Sequence, residues 1–111
     1  MRDTAGKTRV ALAVRQGDTP ALALLDAMGN VRAGLHEGSL YLWDAAGKVR
    51  AAVILSKHGT PILYFRDDNE HVRAMLWATS LDDKKPEEAR LHSHSALVLF
   101  DKDGKAVWKA P

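Results

Sequence analysis

One short pattern, Asp-x-x-Gly-Lys-x-Arg-Ala, recurs along this 111-residue chain and limits what it can fold into more than any other feature. Its clearest copy lies within Leu40–Val53, where Leu40-Tyr41-Leu42-Trp43 and Val49-Arg50-Ala51-Ala52-Val53 flank Asp44-Ala45-Ala46-Gly47. Alternating apolar runs on both sides of a turn containing glycine, which enters the left-handed region without steric cost, specify a β-hairpin. Asp26–Ala33 and Asp3–Val10 repeat the pattern. Asp67–Ala74 keeps the frame with Glu70 in the glycine place, and the copy opening at Asp101 holds Val107 in the arginine place.

The turn aspartates stand at 3, 26, 44, 67 and 101, so the spacings are 23, 18, 23 and 34. A solenoid needs nearly constant coils, whereas hairpins tolerate variable connections. The pattern therefore predicts strands near residues 8–14, 21–25, 31–36, 40–43, 49–56, 62–66, 72–78, 96–100 and 105–109. Short polar turns between them favour antiparallel pairing of sequence neighbours. The expected fold is all-β, an antiparallel meander of about nine strands forming a barrel or a two-layered sheet, with a β-solenoid as the alternative. Residues 1–111 form a single β-repeat domain, with a charged excursion at about 79–95. Asp3 has only Met1 and Arg2 before it, so the chain is expected to begin just inside the first unit of a longer protein. The strand left unpaired there is expected to be closed by Lys105–Lys109 joining Thr8–Val14.

Alternation assigns two faces. Leu22, Leu24, Val31, Ala33, Leu35, Leu40, Leu42, Val49, Ala51, Val53, Leu63, Phe65, Val72, Ala74, Leu76, Leu97 and Leu99 form a uniform aliphatic set, expected to face inward. This register requires a four-residue loop at Asp44–Gly47; a three-residue loop with a glycine bulge would pair Leu42 with Arg50. Gly29, Gly47 and Gly104 are expected at positive φ, and the Asp67–His71 turn is expected to differ in shape. On the opposite face, Tyr41, Trp43, Tyr64, Met75 and Trp77 form the candidate interface of a self-associating protein, because aromatics and methionine are enriched at interface centres.

The repeated Arg9, Arg32, Arg50 and Arg73 are the candidate anion-binding residues, since guanidinium suits carboxylate and phosphate. The competing structural account, which is favoured, has each arginine pairing with a turn aspartate or covering an aromatic with its stem. His92 and His94 lie two apart, as a metal pair on a strand would, but no third ligand accompanies them. Asp101-Lys102-Asp103-Gly104 and Asp67-Asp68-Asn69-Glu70 are explained by turn chemistry rather than calcium, for the twelve-residue loop with its terminal glutamate is absent. No phosphate-binding glycine loop, Gly-x-Ser-x-Gly or His-Glu-x-x-His occurs, so no enzyme, cofactor or metal site is expected. With no cysteine, disulfides and thiol catalysis are excluded. A net charge of +2 gives no basis for specific nucleic-acid binding, and no apolar run is long enough for a membrane span.

The repeat and the ending Ser95-Ala-Leu-Val-Leu-Phe-Asp-Lys-Asp-Gly-Lys-Ala-Val-Trp-Lys-Ala-Pro111 resemble uncharacterised bacterial β-repeat proteins. Those proteins carry Leu-x-Leu-x-Asp-x-x-Gly-Lys-x-Arg-Ala units and close on a similar Leu-Phe-Asp-x-x-Gly-Lys…Trp…Ala-Pro segment. The resemblance implies no activity and no catalytic residue. Such modules often follow an N-terminal hydrophobic or helical segment, which implies a cell-envelope or membrane-proximal place if an anchor has been removed; otherwise no location is assigned. The function expected is a non-catalytic structural or protein-interaction module that self-associates or meets a protein partner. The alternative is a binding module for acidic glycan or another polyanion.

Overall fold

The computed structural model describes residues 1–57, 59–78 and 95–110, with the backbone alone described at 78, 95 and 96. The expected excursion at 79–95 therefore lies, but for the backbone of Ser95, outside the described residues, as do His92 and His94. Nine strands follow one another: β1 (Val10–Arg15), β2 (Thr19–Leu25), β3 (Val31–His36), β4 (Ser39–Trp43), β5 (Val49–Leu55), β6 (Pro61–Arg66), β7 (Val72–Ala78), β8 (Ser95–Phe100) and β9 (Ala106–Ala110). They form a single antiparallel sheet whose spatial order is the chain order, with no helix among the described residues. The all-β meander and the strand positions agree with the repeat pattern.

The sheet is not a closed barrel. Among the described residues, each strand contacts only its neighbours in sequence, and β9 pairs with β8 alone. The expected closure of Lys105–Lys109 onto Thr8–Val14 is corrected accordingly. Instead, Met1 and Arg2 make a rudimentary incoming strand: Arg2 bridges Thr8, and the Met1 carbonyl accepts from both Arg9 and Val10 N–H. The radius of gyration is 17.8 Å, against roughly 13 Å for a compact chain of this length. An open, extended sheet accounts for the difference.

Every described aspartate turn has the same construction. In the Asp44 copy, Asp44 N–H donates to the Lys48 carbonyl at 2.9 Å and Gly47 N–H donates to the Asp44 carbonyl at 3.0 Å. Gly47 stands at φ +81°, beside +87° at Gly29 and +81° at Gly104, so the expected left-handed glycines are present. The loop is the three-residue kind, a type I turn closed by a glycine bulge, and not the expected four-residue loop. Glu70 adopts φ +66° and keeps the same two backbone bonds, so the Asp67 turn does not differ in shape as expected.

A second bulge then restores the alternation that the three-residue loop would have broken. Leu42 pairs with Ala51 and Trp43 with Val49, leaving Arg50 as the extra residue. The same slip sets aside Arg32 between Val31 and Ala33, Arg73 between Val72 and Ala74, and Val107 between Ala106 and Trp108. One extra residue re-aims its side chain while the ladder continues beyond it. Leu40, Leu42, Ala51 and Val53 thus share one face by a route the sequence pattern did not reveal.

Burial reverses the expected inside and outside. The buried hydrophobics Ala21, Ala23, Ala52, Tyr64 and Val98 all belong to the face that also carries Tyr41 and Met75. In a single layer, shelter comes from neighbouring side chains, and long aromatics lying across alanine and glycine provide it. Leucines standing beside leucines shelter each other only partly. The aliphatic set expected to form the core is therefore half exposed, with Leu42 at 46% and Leu35 at 50%.

Candidate functional site

The four repeated arginines do one thing four times. Arg9 Nε donates to the Leu25 carbonyl, Arg32 Nε to Trp43, Arg50 Nε to Arg66 and Arg73 Nε to Phe100, each at 2.9 Å. Each acceptor is the residue just before the next turn aspartate. The same guanidinium reaches back through Nη1 to its own turn aspartate, at 3.3 Å for Asp3, 3.6 Å for Asp26, 3.4 Å for Asp44 and 3.5 Å for Asp67. Each arginine therefore staples its own turn to the following strand. In β9, which has no following strand in this sheet, Val107 occupies the arginine place.

The other oxygen of each aspartate organises the turn. Asp44 Oδ1 accepts from Ala46 and Lys48 N–H, both at 3.0 Å. Asp3, Asp26, Asp67 and Asp101 repeat this double acceptance. Hydrogen bonds to the ionised form hold a carboxyl below its ordinary value. At Asp3, Asp26 and Asp44 the backbone N–H groups of Lys7, Asn30 and Lys48 are the leading cause, and the arginine adds to it. At Asp67 partial desolvation pushes upward, but the N–H groups of His71 and Asn69, then the charge of His71 and the side-chain hydrogen bond of Arg73, bring the net shift down. Lysines tie turn to turn: Lys7 Nζ donates to the Ala27 carbonyl and Lys48 Nζ to that of Asp68. The candidate anion-binding arginines are thus brought to one end of the sheet, each engaged with a carboxylate and a carbonyl.

The candidate interface residues are also brought together. Tyr41 lies 5.6 Å from Trp43 and stacks on His36 at 5.3 Å between ring centroids. Tyr64 pairs with Met75, and Trp77 lies two residues further along β7. Tyr64 is 9% exposed, and the other four are half-buried.

Sequence reasoning missed what the aliphatic face is. Cross-strand pairs carry it without interruption, from Leu12 opposite Leu22, through Leu35 opposite Leu40 and Val53 opposite Leu63, to Leu76 opposite Leu97 and Leu99 opposite Trp108. No ionisable side chain occurs at these positions. Thirteen of its large side chains are 36% to 80% exposed. A shallow apolar depression of about 130 Å³ lies at its centre, lined by Leu40, Leu42, Ala51, Val53, Leu63 and Phe65 among others. The signal was present in the sequence as a strand face without charge; its exposure needed the topology.

Among the described residues no three His, Cys, Asp or Glu side chains gather as a metal site would require, and no helix is long and apolar enough to cross a membrane. No protein-family model matches the chain, and no curated protein matches it significantly.

Proposed function

We propose that this protein is a non-catalytic, self-associating structural module whose contact is the aliphatic face of the sheet. The observation that carries the reading is the size and purity of that face. At roughly 80 Å² for each half-exposed large side chain, thirteen of them present about 1,000 Å², more than the roughly 800 Å² that each partner contributes to a standard interface. The largest apolar patch on an ordinary monomer is about 300–600 Å². A second copy fits the face because each hairpin contributes the same aliphatic row, so the surface is self-complementary in shape and has no charge to leave unpaired. Packed face to face at about 10 Å, two sheets would complete a β-sandwich.

Folding energetics support the same reading. No large side chain of the described residues is fully buried. A lone layer must offset roughly 1–2 kcal/mol of backbone ordering per residue, which its sheltered alanines do poorly. This reading places the contact on the aliphatic face, while Tyr41, Trp43, Tyr64, Met75 and Trp77 remain on the outer surface.

Light scattering and sedimentation of the full chain test it. The expected result is a dimer or larger species that loses structure on dilution, since such subunits often have no stable folded monomer. Leu42→Lys should disrupt it and Trp77→Lys should not. A well-folded 12.2 kDa monomer at high concentration would refute the reading.

A further inference from the structure

The row that carries the stapling arginines holds one more guanidinium, and that one has no partner in the scheme. Arg66 precedes Asp67, a place held by Leu25, Trp43 and Phe100 in three sister units. In the Asp3 copy the place is held by Arg2, whose Nη1 donates to the Gly6 carbonyl at 3.4 Å, a bond with no counterpart at Arg66. Arg66 Nε is buried and makes no hydrogen bond. Its Cζ lies 4.9 Å above the Tyr64 ring centroid, a cation–π contact that anchors the group. Among the described residues no carboxylate lies within ion-pairing distance of it.

Its neighbours on both sides are also arginines. Arg50 bonds the Arg66 carbonyl from β5, and on β7 Arg73 occupies the bulge between Val72 and Ala74, opposite Phe65 and Arg66. Arg50 is paired with Asp44, and Arg73 shares Asp67 with His71. Each of these neighbours therefore has a carboxylate partner, and Arg66 has none among the described residues. Nε is covered by the protein itself, so the donors left for an outside acceptor are the terminal Nη groups, which make no hydrogen bond among the described residues.

We propose that Arg66 is an anion-binding residue, taking an oxyanionic group of the phosphate, sulfate or carboxylate kind. Guanidinium presents a planar fork that matches such oxygens bidentately, and stacking on an aromatic ring pre-organises it. The adjoining Tyr64 and Met75 would border whatever carries the anion. The site lies on the aromatic face, so it is compatible with self-association through the aliphatic one and does not depend on it. It also moves the anion-binding role from the four repeated arginines, which are already engaged, to the fifth.

Titration of the full chain with inorganic sulfate and, separately, with a short sulfated oligosaccharide tests the proposal, read by the arginine Nε–H and tyrosine ring NMR signals. At least one probe should shift the Arg66 and Tyr64 signals saturably. Arg66→Leu, which installs a sister residue, should weaken binding about tenfold or more, the scale of one charge-assisted contact. Arg15→Leu, an equal change of charge elsewhere, should leave it unchanged. Arg66→Gln repeats the comparison should the leucine variant fail to fold. Response to sulfate identifies the free ion as sufficient; response to the oligosaccharide alone identifies a polymer-borne anion. Silence with both probes, or equal weakening by the Arg66 and Arg15 variants, overturns the proposal.

Discussion

Trp43 lies across Gly34 so closely that a Cβ on Gly34 would come within 2.9 Å of Trp43 Cζ3. Gly34 is in the middle of β3, with backbone angles any residue can adopt, and is paired with Tyr41. Glycine in a strand normally weakens it. Here its absent side chain makes the seat for the indole, and the indole in turn shelters the glycine. Gly34→Val should therefore destabilise by about 1–3 kcal/mol through overpacking. In a Trp43→Leu background the same change should cost far less. A double-mutant cycle by chemical denaturation checks this; additive effects would mean that the two residues are not coupled.

The turn at Asp67 supplies a second expectation. Glu70 is at φ +66°, where its sisters Gly29, Gly47 and Gly104 stand at φ +81° to +87°. A side chain in that region costs about 1 kcal/mol that glycine avoids. Glu70→Gly should thus stabilise by about 1 kcal/mol, a rise in Tm of roughly 4–8 °C for a domain of this size. Gly47→Glu should do the reverse. An unchanged Tm in both would show that the turns yield without strain.

The strands were legible because alternation and turn chemistry agree in every copy: Leu40-Tyr41-Leu42-Trp43 before Asp44 leaves little freedom. The bulge at Arg50 was not legible. Two requirements conflicted, a glycine bulge in the loop and Leu42 on the same face as Ala51 and Val53, and a longer loop satisfies them on paper as well as a second bulge does. Only the backbone shows which is used. The stapling role was half visible, since Asp44 and Arg50 are one pattern, but the Arg66 carbonyl that Arg50 also binds belongs to the next unit. Which face is sheltered depends on layer number, and alternation carries no information about that. Arg66 itself was open to inspection, sharing with Arg2 a place held elsewhere by Leu25, Trp43 and Phe100; its orphaned Nε was not.

The staples make the fold sensitive to acid. Asp3, Asp26, Asp44 and Asp67 are each held below the ordinary carboxylate value of 3.8 in the folded chain, chiefly by backbone N–H donors and, at Asp67, against partial desolvation. A carboxyl whose folded-state value lies below its unfolded one binds fewer protons when folded. Its stabilising effect is complete above the unfolded value and is lost as pH falls through the folded one. Thermal melts at fixed protein concentration should therefore agree between pH 7 and about pH 5, then shift steadily downward through pH 4, 3 and 2. Asp44→Asn keeps an Oδ1 acceptor for Ala46 and Lys48 but has no charge to lose, so it should start less stable at pH 7 and fall less on acidification. A fall in Tm concentrated between pH 7 and pH 5 would assign the sensitivity to groups other than these carboxylates. A flat profile down to pH 2 would mean that the carboxylates shape the turns without holding the sheet together.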